Sequence, residues 1–206
     1  MGGTKTMMDP ALVPVIDFWC GIPGSPERDT FRDIWFQAAT PEFDAEIRAR
    51  FLALHERAAA GGFAHVLDSG DGCFALLILF DQLPRNMFRG TARAFATDAK
   101  AREVAAHAIA KGYDQDVASV YRAFFYLPYE HSENLADQER GLELMRALGG
   151  ERGIEAALEH IDVIKRFGRF PHRNAALGRV STPDEIEYLK GGKSWGQGPA
   201  AAASAS

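Results

Sequence analysis

Apolar side chains in this chain return mostly at intervals of three and four. Phe43, Ile47, Phe51, Leu54 and Ala58 form one such stripe, while Glu42, Glu46, Arg48, Arg50 and Glu56 lie off it. That period belongs to an amphipathic helix. Thr40-Pro41 supplies a hydroxyl cap and a first-turn proline, and Gly61-Gly62 supplies the stop. Asp9-Pro10 opens an earlier helix carrying Val15, Ile16, Phe18 and Trp19, which Pro14 shortens or bends. Residues 20–30, with two glycines and two prolines, form a loop, and a helical turn over 31–36 follows.

Further on, residues 91–110 contain no interior proline or glycine and predict one helix, closed by Lys111-Gly112. Val117, Val120, Tyr121, Phe124 and Phe125 mark an aromatic-faced helix running to Pro128. Leu135, Leu142 and Met145 mark another over 133–148. Ile154, Leu158, Ile161 and Ile164 mark one over 151–166. Ser181-Thr182-Pro183-Asp184-Glu185 is the best-formed start signal in the chain, with Thr182 as cap and Glu185 at the capping-box position.

One stretch lacks a period. Cys73 to Phe80 is apolar throughout, and a short run of this kind suits either a buried strand or a helix buried all round. Its alanine and leucines favour helix, and no second strand-like segment exists to satisfy a lone strand's backbone groups. Pro84 then forces a break or kink near Leu83. The expectation is an all-α fold: one domain over residues 9–190, seven to nine helices, sequential neighbours antiparallel. Residues 191–206, mostly glycine, alanine and serine with Trp195, read as a flexible tail.

Composition narrows the function classes. A chain of 206 residues with 47% apolar content can bury a substantial core. Its 28 acidic against 23 basic residues give no long-range pull toward nucleic acid or anionic lipid. The longest apolar run, eight residues, is far short of the ~20 a spanning helix needs. The first nine residues lack the apolar segment of a secretory signal. Cys20 and Cys73 have no zinc or disulfide spacing, so a reducing, cytoplasmic setting is expected, with no cofactor and no membrane or nucleic-acid partner. Oligomeric state is left open.

Polar residues gather at three apolar helix ends. The first group is Asp81, Gln82, Arg85, Asn86 and Arg89; with a helix continuing past Pro84, Asp81 and Arg85 stand four apart and can pair. The second is Glu130, His131, Glu133 and Asp137, after Tyr126 and Tyr129. Two carboxylates beside an imidazole suit general acid–base work or a divalent ion. The third joins His160, Lys165, Arg166, Arg169, His172, Arg173 and Asn174, whose cations suit a carboxylate or phosphate. Each also has a bland account: a pair that satisfies a bend, a first-turn acid with a turn histidine, and cations answered internally by the acids of the second group. No G-x-S-x-G elbow, phosphate loop, dinucleotide fingerprint or HExxH motif occurs.

These same segments carry a resemblance. Asp17-Phe18-Trp19, the run from Phe80 through Asp81-Gln82-Leu83-Pro84-Arg85-Asn86 to Gly90, Tyr129-Glu130-His131-Ser132-Glu133, Leu135-Ala136-Asp137-Gln138-Glu139 and the run from Arg166 through Phe170-Pro171-His172-Arg173 to Asn174 are similar to a bacterial family known as domain of unknown function 924. Cys20 stands where the family pattern has a bulky aromatic. The resemblance covers residues 13–189 and implies an all-helical, tetratricopeptide-like fold; it implies no activity and no catalytic residue.

Three functional expectations follow. The leading one is a polar groove that binds a peptide segment or a small anionic ligand, using Asp81, Arg85, Asn86, Arg89, Tyr126, Arg166, Arg169, His172 and Asn174. The alternative is a hydrolase, possibly metal-dependent, with Glu130, His131, Glu133 and Asp137 as catalytic candidates. The third is an internal network without a ligand.

Overall fold

The computed structural model describes residues 8–36 and 40–191; the seven N-terminal residues, 37–39 and the tail from residue 192 lie outside the description. Among the described residues nine α-helices run in the order α1 Val13–Cys20, α2 Pro41–Ala59, α3 Gly70–Leu77, α4 Leu83–Met87, α5 Asp98–Lys111, α6 Ser119–Glu130, α7 Leu135–Leu148, α8 Glu151–Phe167 and α9 Pro183–Lys190, and none of these residues lies in a strand. Four residues separate α6 from α7 and two separate α7 from α8. Connections this short return each helix antiparallel against its predecessor.

The start signals act as their chemistry requires. Thr40 accepts the Phe43 N–H at 3.2 Å at the head of α2, and Asn134 accepts the Ala136 N–H at 2.8 Å at the head of α7. Thr182 and Glu185 form a reciprocal capping box on α9. Most apolar side chains meet in one core reaching from α1 to α8. Trp19, Trp35, Phe74, Tyr121, Phe124 and Phe125 pack ring against ring within it.

The periodless stretch is helical and occupies the centre. Between α3 and α4 the chain widens into a π turn, Ile78–Gln82, buried throughout. The local chemistry accounts for it. Pro84 has no N–H, so the Phe80 carbonyl four residues earlier loses its helical donor. The Thr97 hydroxyl donates to that carbonyl instead, at 2.7 Å. The Leu83 N–H reaches back five residues to Ile78 O, which releases Leu79 O, and His55 Nδ1 takes that carbonyl at 2.9 Å. The expected kink is therefore a one-residue widening with both displaced carbonyls answered by side chains. A π turn of this kind commonly marks a functional position.

The helix expected over 91–110 divides. Ala92–Phe95 is a 3-10 turn, and α5 begins only at Asp98. Arg85 draws the Ala94 carbonyl, and the Thr97 side chain is committed to Phe80. Helix propensity in the alanine-rich segment yields to these tertiary hydrogen bonds.

Candidate functional site

Three elements converge at the exit of the π turn: its own C-terminal residues with α4, the end of α6, and the segment after α8. Gly141 sets the approach of α7 to α6. A Cβ there would stand 3.2 Å from the Tyr129 Cβ and 3.3 Å from the Glu130 nitrogen. Gln138, one turn earlier on α7, donates to the Ser132 carbonyl at 2.7 Å and also to that of Glu130, fixing how α6 ends. Glu133 fixes the third element. It receives two hydrogen bonds from Arg179, at 2.7 and 2.9 Å, and the Phe170 N–H at 2.8 Å. Burial alone would raise its pKa, but these donors hold it below the ordinary carboxylate value.

What this scaffold gathers is a buried charged cluster. Asp81, on the π turn, has no exposed surface. His131 Nδ1 lies 2.7 and 2.9 Å from its two oxygens, Gln82 donates to it at 2.6 Å, and Arg85 approaches at 3.5 Å. Burial would push the Asp81 carboxyl up; His131, through the charge it carries when protonated and through its hydrogen bond, together with Arg85 and Gln82, brings it below its usual value. Arg85 is bound more closely to Asp98, at 2.8 and 3.0 Å, than to Asp81.

Arg173, in the short turn after α8, reaches the same Asp98, at 3.3 Å. Among the described residues Asp98 is its one carboxylate in ion-pair range, and Arg85 already holds it. The faces of the Arg173 guanidinium are covered by Phe95 and Phe170, with ring centroids 4.6 and 4.5 Å away. Its hydrogen-bonding edge at Nε meets no partner among the described residues. Burial, and next the charge of Arg85, lowers its pKa to about 10.

Glu130 and two further imidazoles complete the cluster. Glu130 is buried, with Oε1 3.2 Å from His160 Nδ1 and Oε2 without a hydrogen-bond partner among the described residues. Burial and the neighbouring Asp81 push its carboxyl up to about 8, so it is protonated at neutral pH. Burial, followed by the charges of Arg173, His160, Arg85 and His131, drives His172 down to about 2 and keeps it neutral. His131 and His172 are the half-buried members, so the cluster meets solvent beside them.

The remaining candidates lie elsewhere. Asn86 and Arg89 both bind Asp44 on α2, at 2.7 Å and at 2.6 and 2.9 Å. Tyr126 donates to Asp114 at 2.7 Å. Asp137 accepts from Ser132 at 2.6 Å and pairs with Arg102 at 3.4 Å. Arg169 forks onto Glu185 at 2.7 and 2.9 Å, and Asn174 joins the same carboxylate at 3.2 Å. Arg166 lies over Phe167 beside a depression of about 400 Å³ that Arg169, Thr182, Asp184 and Glu185 also line. Of the thirteen candidates in all, Asp81, Arg85, Glu130, His131 and His172 share the cluster, and Glu133 buttresses it. Asp98 entered no candidate group, because inside an alanine-rich run its carboxylate looks like a surface acid.

No three His, Cys, Asp or Glu side chains among the described residues are arranged to hold a metal ion. None of the described helices is long and apolar enough to cross a membrane.

The model of a bacterial protein family of unknown function, DUF924, matches residues 15–193. The chain belongs to the DUF924 family. The structure of a protein of unknown function, ATU0120 from Agrobacterium tumefaciens, is similar to this DUF924 chain at 41% identity and a TM-score of 0.78. That match covers 87% of this chain and 97% of the other. No curated protein matches.

Proposed function

We propose that this DUF924 protein binds a small oxyanion, a phosphate or carboxylate group, at the buried Arg85–Arg173 pair, with entry beside His131 and His172. One observation carries this reading: two buried guanidiniums share Asp98, and the Nε–H of the second meets no hydrogen-bond partner among the described residues. A guanidinium fork is matched to an oxyanion, and a buried cation with an open edge is costly until one arrives. The protonated Glu130 carboxyl adds a donor rather than a repelling charge. A small anion suits the site better than a peptide segment, because Arg85 and Arg173 are only 8% and 6% exposed. Arg89 and Arg169 are left out of the binding set, since Asp44 and Glu185 already take their forks.

Calorimetric titration with inorganic phosphate and with acetate tests the reading and separates the two anions. Arg173→Lys keeps the charge but loses the Nε–H edge, and is expected to weaken binding of the preferred anion at least tenfold with an unchanged circular dichroism spectrum. Arg169→Lys should leave binding as it was. Equal affinity in wild type and Arg173→Lys would refute the assignment.

A further inference from the structure

We propose that Asp81 and His131 form a water-activating dyad that hydrolyses an ester of the oxyanion bound at Arg85 and Arg173, with Glu130 supplying the proton to the leaving oxygen. This step rests on the binding reading above and assigns a reaction to the same site.

The geometry of His131 is the starting point. Its Nδ1 faces both oxygens of a carboxylate that is wholly buried, so Nδ1 carries the hydrogen in the neutral ring and Nε2 holds the lone pair. No hydrogen bond to another described residue occupies Nε2, and the side chain is 19% exposed. A fixed tautomer with its basic nitrogen turned away from the orienting acid is the arrangement a general base requires. Asp81 acts through His131 and is a positioning residue.

Water is the nucleophile this site can offer. The adjacent Ser132 hydroxyl is spent on Asp137 at 2.6 Å. Cys20 and Cys73 are buried, and burial pushes both thiols up to about 12. In the reaction, a water oxygen bonds to the phosphorus or acyl carbon as one of its protons passes to His131 Nε2. The bond to the leaving oxygen breaks, and that oxygen takes the proton of the Glu130 carboxyl. Transfer of the proton from His131 to Glu130 through water restores both groups. The net change is ester plus water to acid plus alcohol, with no redox partner.

Two neighbouring carboxyl groups held on opposite sides of their usual range mark acid–base chemistry. Here one is the ionised Asp81 and the other the protonated Glu130, whose Oε2 has no hydrogen-bond partner among the described residues. The groups around His131 are Asp81 from the π turn, Arg85 behind it on α4, its chain neighbour Glu130 at the end of α6, His160 of α8 at 6.3 Å between ring centroids, and His172.

The test uses 4-nitrophenyl acetate with the full chain, where any accessible activated imidazole shows itself by release of nitrophenolate. Wild type should turn it over above the imidazole background, Asp81→Asn at least tenfold more slowly, and His131→Gln at background. Inorganic phosphate should inhibit. In parallel, diethyl pyrocarbonate should modify His131 faster than the exposed His65, and Asp81→Asn should remove that advantage, a change that a structural histidine would not show. No turnover above background, unchanged rates in both variants, or turnover indifferent to phosphate would each overturn the proposal. Phosphate calorimetry on His131→Gln, whose side chain is part-exposed and tolerant of change, keeps the two readings apart: retained binding with lost turnover leaves the anion site standing.

Discussion

Replacing Glu130 by glutamine should stabilise the protein, and increasingly so as pH rises. The carboxyl is buried and titrates near 8 in the folded state against an ordinary value of 4.5. Between those values the unfolded chain has released the proton and the folded chain still holds it. Stability from this group is therefore complete below pH 4.5 and falls by about 1.4 kcal/mol per pH unit until the folded group ionises. Across the whole interval the ceiling is about 5 kcal/mol, which water entry and relaxation reduce. Glutamine has nearly the shape of the protonated acid and cannot ionise, so the variant escapes the loss. At pH 4.5 the two proteins should melt together. By pH 8 the variant should melt higher, the gap widening by about 3–5 °C per pH unit for a domain of this size. Thermal melts followed by circular dichroism across pH 4.5–8 measure this directly. Parallel melting curves, or a gap that closes as pH rises, would refute a buried neutral Glu130.

Three further outcomes concern the scaffold. Thr97→Val removes the donor to Phe80 O, leaving a buried carbonyl orphaned by Pro84; urea unfolding should show a loss of about 1–3 kcal/mol. Gly72→Ala drives a Cβ into the Val66 carbonyl oxygen, a backbone atom with no freedom to withdraw, and should cost on the order of 3 kcal/mol in the same assay. Cys20 and Cys73 should ignore a disulfide reagent in the native state and react together once urea unfolds the chain, since both thiols are buried and pushed up to about 12.

Much of the helical architecture is legible in the chain because its signals are local. A cap such as Thr182 with Glu185, or the stripe from Phe43 to Ala58, needs only near neighbours to act. The π turn is half legible: Pro84 announces a lost hydrogen bond, but the rescuing Thr97 and His55 lie far along the chain in both directions. The split at Ala92–Phe95 has the same cause, a carbonyl claimed by Arg85. In the cluster, the Asp81–Arg85 spacing follows from helix geometry, although Asp98 turns out to hold Arg85 the more closely. Which of several arginines would stay without a full carboxylate partner could not be read from spacing. Arg89 and Arg169 are matched by Asp44 and Glu185, at separations of 45 and 16 residues, whereas Arg173 must share. That difference exists only once the helices have packed.

The most direct measurement is an NMR titration of the arginine Nε–Hε resonances with inorganic phosphate and with acetate. An oxyanion seated at the shared guanidinium pair should move the Arg173 resonance saturably for one of the two anions, while Arg169, closed by Glu185, stays in place. An Arg173 resonance indifferent to both anions, or a saturable response at Arg169 instead, would contradict the account.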